Sequence, residues 1–292
     1  MIKAKKSLGQ NFLVDKTILE KIVNITEIRN KTILEIGPGT GNLTSYILKQ
    51  KPKKVFVVEK DTNLSNNLSN IFNDQLTIIN NDILKIDENL ISKDKVIVFG
   101  NLPYNISTEI LSKWIINLKD HFWFNHLILM FQKEVADRII AKFNTSQYGR
   151  LSILSNWKLE IEKICDIKPF SFYPKPKIDS SLLFFTPKKN FYPIKNSKNL
   201  EKITRIFFNH RRKMLKKPFN QIFQGNLEIL EKLKIDLSLR PQNLDFDTYY
   251  KLMFSDNLEI ANKLKIKLDL RPQNLDYETY FKLTDEYEKL NS

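Results

Sequence analysis

Thr32-Ile33-Leu34-Glu35-Ile36-Gly37-Pro38-Gly39-Thr40-Gly41 places three glycines within five positions, in a chain that holds only seven. An apolar run leads into this turn, and Leu43-Thr44-Ser45-Tyr46-Ile47-Leu48 follows with helical character, so the stretch reads as strand, glycine turn and helix. Glycine admits backbone angles closed to other residues and lets a ligand approach closely. The start of the following helix adds free N–H groups and positive potential. In a chain so poor in glycine, the clustering points to a backbone requirement.

Three further runs repeat the plan downstream. Val55-Phe56-Val57-Val58 ends in Glu59, 18 residues beyond Gly41. An acidic residue there can accept both ribose hydroxyls of a nucleoside ligand. Leu76-Thr77-Ile78-Ile79 ends at Asn80-Asn81-Asp82, and Val96-Ile97-Val98 runs into Phe99-Gly100-Asn101-Leu102-Pro103-Tyr104. Asn101 therefore falls at or just past a strand's carboxyl end, the edge where open α/β sheets bind ligands. An amide, nearby carbonyls and an aromatic ring suit a planar aromatic amine. The other reading is a turn in which Asn101 caps the helix beginning near Ser107 and Tyr104 belongs to the core. Four β-rich runs, each ending in a polar or glycine-rich turn, predict an α/β fold with a doubly wound parallel sheet and one ligand along its carboxyl edge. Leu127-Ile128-Leu129-Met130-Phe131 reads as a fifth strand before a helix beginning at Gln132, and Ser181 to Phe185 as another strand.

Composition narrows the function classes. The 292 residues carry a formal net charge of +14, which favours a polyanionic partner, nucleic acid first. The richness in Lys, Asn and Ile would also follow from AT-biased coding, so the placement of charge says more than its total. No apolar run approaches the roughly 20 residues that span a bilayer, and the basic N-terminus lacks the apolar stretch of a signal peptide. The expectation is a cytoplasmic protein with no membrane segment. One cysteine, Cys165, excludes an internal disulfide. Three histidines with that cysteine make a poor zinc set and a poor source of a Ser-His-Asp triad, so no metal is expected.

Outside the sheet, Asp15 is placed to cap a helix running to about Ile25. Ser7-Leu8-Gly9-Gln10-Asn11-Phe12-Leu13 before it reads either as an arm packing on the domain or as a lid over a ligand. Arg150, in Tyr148-Gly149-Arg150-Leu151-Ser152, can meet a phosphate or pair with an acid. Phe170-Ser171-Phe172-Tyr173-Pro174-Lys175-Pro176-Lys177 is a stiff aromatic and basic loop whose rings either stack on bases or pack inward. After Pro187 the strand signals stop and helices follow. His210-Arg211-Arg212-Lys213-Met214-Leu215-Lys216-Lys217 is a phosphate-binding candidate. Asn226-Leu227-Glu228-Ile229 returns as Asn257-Leu258-Glu259-Ile260, and Arg240-Pro241-Gln242-Asn243-Leu244 as Arg271-Pro272-Gln273-Asn274-Leu275, both 31 residues on. Two copies are too few for a solenoid. The second copy is not basic, so packing or a protein contact is its expected role.

Taken together, Gly9 to Leu13, Glu35 to Gly41, Asn101-Leu102-Pro103-Tyr104-Asn105-Ile106-Ser107, Gln132 to Val135, Tyr148 to Ser152, Phe172 to Ser180 and Asn209 to Lys213 resemble the ribosomal RNA adenine dimethyltransferases, in family order, and specifically the bacterial housekeeping branch. The resemblance implies a Rossmann-like class I S-adenosylmethionine-dependent methyltransferase domain over residues 1–190. It also implies a small all-α, RNA- and ribosome-binding domain over 191–292, in which units 226–256 and 257–287 are duplicated. S-adenosyl-L-methionine would be the cofactor. Asn11 and Leu13 would close over it, Gly37 would approach its methionine part, Glu59 would hold the ribose, Asp82 would accept from the adenine amine, and Asn101 would lie near the methyl donor.

The substrate implied is the small ribosomal subunit with its RNA, dimethylated at N6 of two adjacent adenosines in the 3′-terminal hairpin. Asn101 and the Leu102 carbonyl would accept the amine's N–H bonds, and Tyr104 and Phe172 would stack on the base. Arg150, Arg211, Arg212 and Lys213 would contact RNA. A monomer is expected. Two other readings compete. Amino-methyltransferases acting on DNA adenine or protein glutamine use a related turn, and a ribosome-assembly factor would need the basic surface more than the chemistry.

Overall fold

The computed structural model describes residues 4–5, 8–118, 121–142, 145–191, 194, 196–209 and 275–290. Its main sheet has seven strands in the spatial order β4-β3-β2-β5-β6-β9-β7. These are β2 (Thr32–Ile36), β3 (Lys54–Glu59), β4 (Thr77–Asn80), β5 (Val96–Asn101), β6 (Phe124–Gln132), β7 (Leu159–Ile167) and β9 (Ser180–Pro187). Strands β4, β3, β2, β5 and β6 run parallel, whereas β9 is antiparallel to both β6 and β7. Every residue of β2 is buried, as are the first five of β5. Helices covering both sheet faces account for this uninterrupted burial.

The chain leaves β2 outward to β3 and β4, then returns to the other side of β2 as β5. This reversal opens a crevice at the carboxyl ends of β2 and β5, where parallel sheets take their ligands. The crossover helices are α2 (Asn42–Lys49), α3 (Thr62–Phe72) and α4 (Ser107–Asn117), with α5 (Lys133–Ile139) following β6. Ahead of the sheet lie β1 (Phe12–Leu13) and α1 (Lys16–Val23). A two-residue strand β8 (Phe172–Tyr173) pairs antiparallel with β1, setting Phe12 opposite Tyr173 and Leu13 opposite Phe172.

The chain forms two compact units, residues 1–140 with 159–189 and residues 141–158 with 190–292. This division gives α6 (Arg150–Lys158) to the second unit. In that unit α6 packs with α7 (Ser197–Asn209) and α8 (Tyr277–Leu290). Trp157, Leu200, Tyr280 and Phe281 are buried there. The cluster His210 to Lys217 and the first repeat copy lie outside the described residues, as does the second copy up to Asn274.

Strand β7 has no counterpart in the sequence reading. Its residues, Leu-Glu-Ile-Glu-Lys-Ile-Cys-Asp-Ile, begin in strict alternation, but the register shifts between Lys163 and Cys165. An irregularity of this kind breaks a period of two. Asp15 does cap α1, accepting from the backbone N–H of Thr17 and Ile18 at 3.0 and 3.3 Å. Its second oxygen accepts from Ser171 Oγ at 2.8 Å, joining the helix start to the short turn of 3-10 helix before β8. Asp15→Ala should lower stability by about 1–2 kcal/mol, read as a lower urea midpoint with an unchanged slope.

Candidate active site

The turn after β2 shows what each glycine is for. Gly37, Gly39 and Gly41 have φ of 64°, 60° and 82°, in the left-handed region. A Cβ on Gly39 would lie 2.7 Å from the Phe12 ring, and one on Gly41 would lie 2.5 Å from the Phe72 ring. Those two glycines make room for aromatic packing. A Cβ on Gly37 would meet only the Asn101 carbonyl, at 3.9 Å, so Gly37 alone leaves open space at the crevice. The requirement read from the clustering is therefore divided between core and pocket.

The pocket at this edge is lined by Asn11, Gly37, Glu59, Asp82, Asn101 and Tyr104, among others. Glu59, at the end of β3, is buried, and its two oxygens accept from the backbone N–H groups of Gly39 (3.2 Å) and Asp61 (2.8 Å). Burial raises its pKa, with the Asp61 charge adding to the rise, and backbone hydrogen bonds from Asp61, Gly39 and Lys60 oppose it. Each carboxylate oxygen offers two lone pairs, so both retain capacity for a further donor. Asp82 is held by Lys60 Nζ at 2.8 Å and by the Leu84 N–H at 3.0 Å. The Lys60 ammonium keeps its carboxyl below the usual range.

Asn101 ends β5. Its Nδ2 donates to the Asn11 carbonyl at 2.7 Å, which turns the amide away from the helix-capping role. No side chain caps α4, whose N-cap is Ile106. Tyr104 shares a 2.6 Å hydrogen bond with Ser180 Oγ, and burial raises the phenol's pKa. Leu102 is 1 % exposed and also lines the pocket.

The N-terminal segment both packs and covers. Phe12 and Leu13 are buried, yet Asn11, Phe12 and Leu13 line the pocket. The Leu13 carbonyl accepts from Asn42 Nδ2 at 2.8 Å. Farther out, Asp61 accepts from Lys5 Nζ at 2.8 Å and from Gln10 Nε2 at 3.3 Å. Burial pushes the Asp61 carboxyl up, but these partners outweigh it and leave its pKa lowered.

The Phe172 ring is 3 % exposed within the core, and stacking on a base would require it to leave that core. Its neighbours Phe170 and Tyr173 are the exposed rings of the loop, at 70 % and 58 %. Arg150 pairs with Glu201 at 2.6 Å, so the acid partner is the one present. Arg211, Arg212 and Lys213 lie outside the described residues. Among the described residues, no helix is long and apolar enough to cross a membrane, and no group of three metal-ligating side chains occurs.

The model of the family described as ribosomal RNA adenine dimethylase matches residues 1–256. The chain belongs to this family. It is 68% identical over 252 residues to the ribosomal RNA small subunit methyltransferase A of Pelagibacter ubique, covering 86% of this chain and 96% of the relative. The protein of the same name from Wolbachia of Drosophila simulans is 40% identical over 253 residues, covering 85% and 92%. Among solved structures, a dimethyladenosine transferase from Plasmodium falciparum matches with a TM-score of 0.73 at 27% identity, covering 96% of this chain and 98% of that one. The 23S rRNA methyltransferase ErmE shares the fold, with a TM-score of 0.58 at 18% identity, covering 94% and 100%. The fold is thus the Rossmann-like one of S-adenosylmethionine-dependent methyltransferases, and this family member is an enzyme.

Glu35, to which the sequence reading assigned no role, is the buried carboxylate of β2 just ahead of the glycine turn. It is fully enclosed and accepts from Thr44 Oγ1 at 2.6 Å. Burial raises its pKa from 4.5 to about 8; the Thr44 bond opposes this and Glu59 adds to it. Between these values the folded chain holds a proton that the unfolded chain releases. Stability from this group is therefore full below pH 4.5 and is lost as pH rises toward 8. Glu35→Gln should flatten that fall and be more stable than the parent at pH 8 by a few kcal/mol. Melting temperatures measured from pH 5 to 9 check this, and parallel curves for the two proteins would assign the slope elsewhere.

Proposed function

We propose that this chain transfers methyl groups from S-adenosyl-L-methionine to N6 of two adjacent adenosines in the 3′-terminal hairpin of small-subunit ribosomal RNA. Each adenosine receives two methyls. The observation that carries this reading is the fixed amide of Asn101. With Nδ2 committed to the Asn11 carbonyl, Oδ1 is left as acceptor at the crevice where Gly37 leaves room. The relatives named ribosomal RNA small subunit methyltransferase A support the choice of substrate.

The donor set fits the cofactor. Open space at Gly37 admits its amino-acid end, the remaining lone pairs of Glu59 suit ribose hydroxyls, and Asp82 suits an adenine amine. Asn11 and Leu13 cover it from the N-terminal side. When bound, the cofactor would supply a methyl group on its sulfonium sulfur; as the N–C bond forms the C–S bond breaks, and the neutral thioether is a good leaving group.

The protein's task is then to make a weak nucleophile attack in line. The N6 lone pair of adenine is delocalised into the ring. Asn101 Oδ1 and the Leu102 carbonyl accept its N–H bonds and draw that lone pair out of conjugation. Tyr104, braced by Ser180, holds the face of a base that has left its own stack. Asn101 is no base, so the released proton passes to solvent. Orientation and electrostatics supply the rate. The enzyme acts as a cytoplasmic monomer on the small subunit, drawn to it by a net charge of +14.

The test uses unmodified small ribosomal subunits, purified protein and labelled S-adenosylmethionine, followed by mass spectrometry of the RNA nucleosides. Dimethyladenosine confined to the 3′-terminal hairpin is the expected product. Tight subunit binding with no methyl transfer would overturn the enzymatic role in favour of an assembly factor. Asn101→Ala should cut turnover by at least about a hundredfold while changing cofactor affinity only a few-fold. Unchanged turnover with weakened cofactor binding would remove Asn101 from the chemistry.

A further inference from the structure

The β1–β8 ribbon has two faces, and they separate its rings. Residues opposite one another in an antiparallel pair share a face, and neighbours along a strand alternate. Leu13 and Phe172 are opposed, and both belong to the core of the first unit. Phe12 and Tyr173 therefore share the other face. On that face Phe12 lies against Gly39 of the glycine turn and lines the pocket. Tyr173 is outside the lining and 58 % exposed, which sets its ring at the pocket's rim. The loop that Tyr173 opens returns to the same rim, because Ser180 at its end shares the 2.6 Å hydrogen bond with Tyr104. Asp179 anchors that end, accepting from Lys168 Nζ at 2.7 Å and, through its carbonyl, from the Lys133 N–H at 2.9 Å. Between the anchors Pro174 and Pro176 stiffen the chain, and Lys175 and Lys177 are exposed. From Phe170 to Ile178 the sequence holds no acidic residue.

We propose that Tyr173, Lys175 and Lys177 seat the nucleotide next to the target adenosine, the phenol ring stacking on its base and the ammonium groups meeting its phosphates. The proposal rests on the RNA-methylating reading above and adds to it a place outside the pocket. A base that leaves its stack bares the face of its neighbour. An aromatic ring covers such a face whatever the base, since every base has one. Each base hangs from a charged backbone, so a stacking ring is best served by cations beside it, and the two lysines supply them without a competing acid in the loop. Phe172 is turned into the core, so of the two adjacent rings Tyr173 is the one presented to a base.

Steady-state methylation of unmodified small subunits by the full-length protein tests this. Tyr173→Leu should raise KM for the subunit at least about tenfold, with kcat, KM for S-adenosylmethionine and melting temperature close to the parent's. Tyr173→Trp should keep the parent's KM. Lys175→Ser with Lys177→Ser should flatten the dependence of log KM on log salt by about 1.4. With p-benzoylphenylalanine in place of Tyr173, irradiation should crosslink the protein to RNA within a few nucleotides of the dimethylated pair. The proposal is overturned if Tyr173→Leu leaves KM unchanged, if the lysine variant leaves the salt dependence unmoved, or if the crosslink falls on a ribosomal protein. It is overturned equally if Tyr173→Trp is as poor as Tyr173→Leu, because the residue would then act only through the β1–β8 ribbon. A parent protein that forms no dimethyladenosine on the same subunits would overturn the reaction itself and this seat with it, a result distinct from all of these.

Discussion

An amide side chain offers a donor end and an acceptor end, and it selects its ligand only if one end is already committed. In this protein that commitment is the bond from Asn101 Nδ2 to the Asn11 carbonyl. It joins residues 90 positions apart and needs both the end of β5 and the N-terminal segment in place. The sheet supplies one side, because strands buried on both faces can expose polar groups only at their ends. The short β1–β8 pairing supplies the other, holding Phe12 and Leu13 against Tyr173 and Phe172. The acceptor at the crevice is therefore a product of the whole first unit.

The same economy governs the charged groups. Buried Glu59 spends its oxygens on Gly39 and Asp61 backbone N–H groups, which fix the glycine turn as well as the carboxylate. Asp61 in turn holds Lys5 and Gln10. A continuous chain of hydrogen bonds thus runs from the β2 turn through β3 to the N-terminal segment, and Glu59, which lines the pocket, is also a structural strut.

Much of this was legible in the sequence where a strand end coincided with a polar or glycine turn. The succession of strands along the chain, and the placing of Gly37, Glu59, Asp82 and Asn101 at their carboxyl ends, follow from period and turn chemistry. What escaped was set by tertiary packing. Phe172 and Phe170 belong to one aromatic loop, and no local rule says that the first turns into the core while the second stays exposed. Gly39 and Gly41 look like ligand glycines until the rings of Phe12 and Phe72 are seen beside them. Strand β7 hides behind a register shift. Glu35 reads as an ordinary strand residue because its hydrogen-bond partner, Thr44, lies nine positions away.

The tie between Lys5 and Asp61 has a practical bearing. It begins four residues from Met1 and ends two residues from the carboxylate at the end of β3. A change to either charge of this tie is for that reason a change to the site's roof, since Asp61 also holds Gln10 of the segment that lines the pocket.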